Sequence, residues 1–285
     1  MKKFLLTATA LGMLALPAMA ADMAPAPAPV YKAPIPVPVC LWCGFYVGGD
    51  IGGFGSEQSA TTNAYPSGFG APAIAGAGFA GIGILPTSHN LNSSGFLGGV
   101  HAGYNWELTP SWLIGAEGDV MFGKRSVSNA QTTFDTFGGT RPDGTMVISN
   151  GNNNYLASLR ARIGWIGGPW MVYATGGAAW TNVSETATWA EIPGALIPAP
   201  SPSSLSFGGT QTGYVVGGGL EWMLSPHWIV RAEYLHYGFQ GASGAGLPFI
   251  VPAGNGCTPV GTCGWNVSTS NLQIDTGRVG LSYKF

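Results

Sequence analysis

The sequence predicts an all-β fold: an eight-stranded antiparallel transmembrane β-barrel with four long extracellular loops and short periplasmic turns. Three observations predict it. First, three short turns are each bracketed by tryptophans, in Trp106-Glu-Leu-Thr-Pro-Ser-Trp112, Trp165-Ile-Gly-Gly-Pro-Trp170 and Trp222-Met-Leu-Ser-Pro-His-Trp228. Trp joins an apolar ring to a polar N–H and favours a membrane–water boundary, so these six residues are expected to form a periplasmic aromatic girdle. Second, the chain is 46% hydrophobic and only 8% charged, where about a quarter charged is usual for a soluble domain. No apolar run beyond residue 20 reaches the roughly 18 residues of a membrane-spanning helix. Third, apolar residues alternate with others at period two, the signature of a strand.

The elements follow in order. Residues 1–20 read as a signal peptide, with Lys2 and Lys3, an apolar stretch from Phe4 to Leu16, and the small-residue site Ala18-Met19-Ala20. Residues 21–43 form a Pro-rich periplasmic segment of Ala-Pro and Val-Pro units, extended and with little packing of its own. The barrel occupies 44–285, with strands near 44–54, 95–108, 111–122, 155–166, 169–181, 212–224, 228–238 and 272–285. In the second strand Phe96, Val100, Tyr104 and Trp106 share one face, and Leu97, His101, Asn105 and Glu107 the other. The third and fourth repeat the scheme, and every bracketing Trp falls on the apolar face, toward lipid. Tight turns at Thr109-Pro110, Gly167-Gly168 and Ser225-Pro226 alternate with long connections near 55–94, 123–154, 182–211 and 239–271. Long connections on one side and short turns on the other are the plan of an outer-membrane barrel, with Phe122, Tyr155, Trp180 and Tyr214 as the opposite girdle.

A family resemblance emerges from these strands. Trp42-Cys-Gly-Phe-Tyr-Val-Gly-Gly-Asp-Ile-Gly-Gly53 resembles the first strand of the small outer-membrane barrels of alphaproteobacteria, the immunogenic or porin-family opacity-type proteins. Tyr173-Ala-Thr-Gly-Gly177, Arg231-Ala-Glu-Tyr-Leu-His-Tyr237 and Arg278-Val-Gly-Leu-Ser-Tyr-Lys-Phe285 resemble their later strands. The resemblance covers the eight strands and not the long connections. The Cys pair beside the first strand and the length of those connections depart from it. It implies cell-surface exposure and no agreed chemistry. The terminal alternation ending in Tyr283 and Phe285 resembles the signal read by the barrel-assembly machinery, an expected partner beside outer-membrane lipid.

Alternation turns most strand charges away from lipid: Asp50, Glu107, Glu117, Asp119, Arg160, Arg162, Glu221, Arg231, Glu233, Arg278 and Lys284. A basic residue at the lipid midplane costs about 2–4 kcal/mol, while inside the barrel it can pair with a carboxylate. The interior of eight strands is just wide enough for side chains to fill. The expected result is an interior Arg–Glu network that plugs the barrel, with Glu117 near Arg160 and Glu233 near Arg278. Interior glycines such as Gly99, Gly103 and Gly217 leave room for the alternative, a narrow or gated porin for small polar solutes.

Other chemistries find weaker support. Cys40/Cys43 and Cys257/Cys263 read as two local disulfides of an oxidising compartment. A redox role for Cys40-Leu-Trp-Cys43 requires a thioredoxin-like setting, and a zinc site lacks a nearby histidine. His89, His101, His227 and His236 do not converge for lipid-modifying catalysis, and His101 reads as a satisfied interior histidine facing Glu117. Gly76-Ala-Gly78-Phe-Ala-Gly81 matches a dinucleotide fingerprint by letter, without the βαβ frame the chemistry needs. No enzyme activity and no cofactor are expected. The formal charge of −2 becomes −4 once Lys2 and Lys3 are removed, which gives no reason to expect nucleic acid. Residues 58–94 hold no Lys, Arg, Asp or Glu. An exposed apolar stretch there suggests binding to a host or envelope surface. The expected role is therefore envelope structure and surface interaction.

Overall fold

The computed structural model describes residues 40–66, 87–134, 142–153, 155–191, 203–250 and 262–285. The signal peptide, the segment up to Val39, Gly76–Gly81 and Cys257 lie outside them. The side chain of Cys263, and with it the second expected disulfide, likewise lies outside the described residues.

The strands are β1 (Gly44–Glu57), β2 (Ser59–Pro66), β3 (Thr87–Asn90), β4 (Ser93–Thr109), β5 (Trp112–Gly123), β6 (Arg125–Phe134), β7 (Pro142–Asn153), β8 (Leu156–Ile166), β9 (Trp170–Glu191), β10 (Ser203–Ser225), β11 (Trp228–Phe239), β12 (Ser243–Ile250), β13 (Thr262–Thr269) and β14 (Leu272–Lys284). All pairings are antiparallel. They run β10-β11-β14-β1-β4-β5-β8-β9, and β9 pairs again with β10, so the succession returns to its start. Three turns close one end. Thr109 Oγ1 accepts the Trp112 N–H at 3.1 Å in the first. Gly168 takes a φ of 79° in the second, a left-handed conformation suited to glycine.

At the other end the chain does not dissolve into loops. The four connections expected as long loops carry β2, β3, β6, β7, β12 and β13, and β9 and β10 extend to 22 and 23 residues. β7 pairs with the far half of β9 from Gly151↔Ser184 to Gly144↔Glu191. A four-stranded sheet, β12-β13-β2-β3, stands beside this extension. Its edge β3 meets β6 through side chains: Asn129 Nδ2 donates to Asn90 O at 3.3 Å, and Gln131 Nε2 to Ser88 O at 2.7 Å.

Burial along β9 explains why the sequence pattern ended early. Its inward residues include Met171, Tyr173, Thr175, Ala179, Thr181, Val183, Glu185, Ala187 and Trp189. The outward positions are apolar through Val172, Ala174, Ala178 and Trp180, then become Asn182, Ser184, Thr186 and Thr188. Beyond Trp180 the outward row is polar where in the first half it is apolar, while apolar residues such as Val183, Ala187 and Trp189 continue the inward row.

The interior is layered. At the turn end Trp42, Leu113, Ile166, Met171, Tyr173, Met223 and Ile229 form one apolar cluster. Charged side chains follow. Above them lies a second apolar layer that includes Leu97, Met121, Leu156, Val215, Leu235, Tyr237 and Ile274. The extension has its own core of Ala60, Leu91, Met146, Ile148, Ala187, Trp189 and Val267.

Candidate functional site

The charged layer is one connected network. Glu117 and Arg160 are direct register partners across β5 and β8 and form an ion pair. Glu233 and Arg278 are register partners across β11 and β14, with Arg278 Nε donating to Glu233 Oε2 at 2.6 Å. Arg160 also reaches Asp119 at 3.0 Å and Glu233 at 2.7 Å. Arg231 grips Asp50 through Nε and Nη2 at 2.8 and 2.7 Å and reaches Glu117 at 2.8 Å, the two-point geometry that favours arginine over lysine. Arg162 bridges Glu117 at 3.1 Å and Glu221 at 2.8 Å. Four guanidiniums thus face five carboxylates. All nine residues are at most 5% exposed, so the pairing offsets a desolvation cost that isolated charges could not meet.

One expected member, Glu107, bonds outside this network, and the inward-facing Lys284 joins it at the turn end. Glu107 is half-buried at the turn end, where its Oε1 accepts the Trp42 N–H at 2.6 Å. Lys284 donates to Leu41 O at 2.5 Å. Both are bonded by the segment that precedes β1, through Trp42 N and Leu41 O. His101 also departs from expectation. It bonds Asp50 rather than Glu117, because its inward position on β4 looks across to β1.

Sequence reading missed several participants. Tyr46 OH donates to Glu117 at 2.7 Å and accepts from Arg162 at 2.8 Å. Tyr173 OH donates to Glu233 at 2.9 Å, and Ser158 Oγ to Asp119 at 2.5 Å. Alternation puts Ser158 on the inward face of its strand, but formal charge does not reveal which neutral hydroxyls join the network. Trp42 was missed as well. It is fully buried, its indole N–H donates to Gly168 O at 3.1 Å, and the Cys40–Cys43 disulfide brackets it with a Cα–Cα distance of 5.4 Å. Residues 40–43 therefore form a short cork stitched to β4, to the β8–β9 turn and to β14.

Ser282, His101 and Asp50 form a line. His101 lies 2.7 Å from Ser282 Oγ through Nε2 and 2.7 Å from Asp50 through Nδ1. These distances match a nucleophile–base–acid relay. All three residues are no more than 3% exposed, and Asp50 is also held by Arg231. A relay needs room for a substrate carbonyl beside the nucleophile, and burial denies it.

The six girdle tryptophans gather at the turn end. Trp112 pairs in register with Trp165, and Trp222 with Trp170. Trp106, Trp112, Trp165, Trp222 and Trp228 are each about half exposed, and Trp170 packs edge-on against Trp165. Trp228, Tyr283, Phe285 and Phe45 continue the belt through successive ring contacts at 5.3, 5.2 and 5.8 Å. Ten residues separate Trp170 from Trp180 along β9. At about 3.3 Å each and a tilt near 40°, they rise about 25 Å, the height of a membrane barrel's apolar band.

Above the second apolar layer, Arg125 donates to Ser56 Oγ at 3.0 Å, Gln58 Oε1 at 2.9 Å and Leu91 O at 2.8 Å. A cavity of about 40 Å³ lies beneath it, room for little more than water. Burial lowers the Arg125 pKa to about 10, against the pull of Glu185. Burial likewise raises the Glu185 carboxyl above its usual range, while Arg125 opposes the shift.

Comparison with known proteins gives this arrangement a place. The chain is 26% identical over 284 residues to the 31 kDa outer-membrane immunogenic proteins of Brucella melitensis biotype 1 and Brucella suis biovar 1, covering 99% of this chain and 100% of each relative. Among solved structures, Ail of Yersinia pestis is 14% identical, with 85% of this chain and 99% of that one covered and a TM-score of 0.30. The outer-membrane protease OmpT of Escherichia coli is also 14% identical, with coverage of 84% and 97% and a TM-score of 0.37. The family model for the outer membrane protein beta-barrel domain matches residues 6–285, so the chain belongs to that family and its place is the cell outer membrane.

Proposed function

We propose that the ring of β1, β4, β5, β8, β9, β10, β11 and β14 is a closed eight-stranded barrel that does not conduct. Its work is structural and interactive: it anchors in the outer membrane and displays the four long connections, with their strands, at the cell surface. The observation that carries this reading is the ionic layer, sealed between the Trp42 cluster and the Leu97–Tyr237 layer. A solute would have to displace ion pairs already matched to one another. This favours a plug over the narrow porin that the interior glycines suggested. Some of those glycines are needed by the plug's own packing. A Cβ on Gly99 would overlap Val120 O and Met121, and one on Gly217 would overlap Tyr234 O.

The same reading makes the barrel non-enzymatic, its Ser282–His101 contact being a satisfied core histidine. Its partners are outer-membrane lipid, the assembly machinery that reads Tyr283 and Phe285, and a host or envelope surface. Planar-bilayer recording of the refolded full chain tests it. We expect no discrete conductance from the native protein and discrete openings once Glu117 and Arg160 are both replaced by Ala. Steady openings from the native protein would refute the plug. For the display role, deleting 67–86 spares β2 and β3. It should keep heat-modifiable folding and abolish adhesion of expressing cells, and unchanged adhesion removes that role from this connection.

A further inference from the structure

We infer that the outer wall over β11, β14, β1 and β4 carries an amphipathic cleft that takes a glycolipid of the outer leaflet. Register puts four outward residues in one row: Tyr234, Gly277, Gly53 and Phe96. The next row toward the loop end is His236, Asp275, Gly55 and Ser94. Two glycines therefore lie between two aromatic rings, Phe96 at 88% and Tyr234 at 56% exposed. The pit they bound has a volume of about 540 Å³.

The floor is not explained by the protein's own packing. A Cβ on Gly55 or Gly277 would meet nothing within 4 Å. This contrasts with Gly52, next to Gly53 on β1, where it would collide with Gly277 O. Glycine inside a strand is unfavourable against alanine and often marks a close approach from outside. Ile51 and Val279 occupy the next outward row toward the turns.

At its other end the pit opens into a polar cleft of about 430 Å³, lined by Glu57, Asn90, Asn92, Ser270, Asn271 and Gln273. Asp275 stands at the junction. Its Oδ1 accepts from Tyr234 OH at 2.6 Å and bonds His236 Nδ1 at 2.8 Å, and neither bond uses Oδ2. Among the described residues, no lysine or arginine lines either part.

Ten residues separate Asp275 from Phe285 in the turn-end girdle, a rise of about 25 Å at strand pitch and tilt. The pit is thus continuous with the lipid-facing belt at its outer edge, and lipid is the occupant that covers it. Amides, hydroxyls and two carboxylates without a cation suit a headgroup that donates hydrogen bonds, a sugar rather than a bare phosphate. Aromatic walls and an open backbone floor suit the apolar portion below. This site rests on the outward orientation of the connections proposed above.

Native mass spectrometry of the full chain in detergent micelles tests it, with an acylated, unphosphorylated glucosamine disaccharide as probe and phosphatidylglycerol as comparison. The native protein should retain one glycolipid in preference to phosphatidylglycerol. Gly277→Leu, which fills the pit, should weaken retention about tenfold or more. Gly118→Leu is the control, a lipid-facing glycine on β5 whose Cβ would sit 3.7 Å from Ser158 O, and it should retain the glycolipid normally. If Gly277→Leu fails the heat-modifiability check, Gly55→Leu serves instead. Equal retention of the two lipids, or equal retention by the pit and control variants, overturns the site. Orientation has its own readout, labelling of Asn271→Cys by an impermeant maleimide on intact cells. Labelled cells with equal retention sink the site alone; unlabelled cells sink the orientation and the outer-leaflet site with it.

Discussion

Replacing Arg160 by Met and Glu117 by Gln, singly and together, probes the ionic layer most directly. Arg160 is 2% exposed and touches three carboxylates, Glu117, Asp119 and Glu233. Breaking a buried pair by removing one partner costs about 3–5 kcal/mol. Each carboxylate here keeps another guanidinium: Glu117 keeps Arg231 at 2.8 Å, Asp119 keeps Arg278 at 3.2 Å and Glu233 keeps Arg278 at 2.5 Å. The loss for Arg160→Met should therefore fall at the low end, about 3 kcal/mol. Glu117→Gln should cost a similar amount, since Arg160, Arg162 and Arg231 each keep a second acid. The double variant removes one charge of each sign, so it should recover about 1–2 kcal/mol of the combined loss. Urea titration in detergent micelles, with the folded fraction read from heat-modifiable gel migration, measures all four corners of the cycle. Additivity within about 0.5 kcal/mol would refute the direct coupling.

Three further outcomes are expected. Trp42→Ala empties a fully buried site and should lower stability by about 3–5 kcal/mol in the same titration; a loss under about 1 kcal/mol would mean the cork does not pack as described. Ser282 should resist a serine-reactive fluorophosphonate in the folded protein, and stoichiometric labelling lost in Ser282→Ala would revive catalysis. The extension should respond to pH through Glu185. Burial raises its carboxyl pKa, so the folded state holds that proton more tightly than the unfolded chain. The stabilising contribution is full below the ordinary carboxyl range and is lost as pH rises through the raised value. Protease cleavage between β6 and β7 should accordingly slow as pH falls from neutrality, and Glu185→Gln should flatten that dependence.

Much of the ring was legible because lipid imposes a strong pattern. Phe96, Val100, Tyr104 and Trp106 must face acyl chains, so Leu97, His101 and Asn105 must face inward, and the register pairs Glu117–Arg160 and Glu233–Arg278 follow from strand order and turn length. The bonding of His101 was not legible. Alternation says that its ring points inward, but which neighbour it reaches depends on interior width and on Gly48, where any Cβ would strike the imidazole. The partners of Glu107 and Lys284 were not legible either, because alternation carries no information about the segment before β1. Residues 40–43 fold under the ring and claim both side chains.

The extension escaped sequence reading for a physical reason visible in β9. Strand signals are sought as an apolar face against a polar one, and β9 keeps a two-residue period throughout its length. In the membrane placement proposed above, however, the solvent outside changes from lipid to water at Trp180. The outward row turns from Val172 and Ala174 to Ser184, Thr186 and Thr188, while the inward row turns from Tyr173 and Thr175 to Ala187 and Trp189. Averaged across that reversal, each face looks mixed and the alternation cancels. A pattern search that lets the apolar face switch sides at an aromatic boundary residue would have carried β9 through to Glu191. On the proposed orientation, that switch point marks the outer edge of the membrane on a single strand.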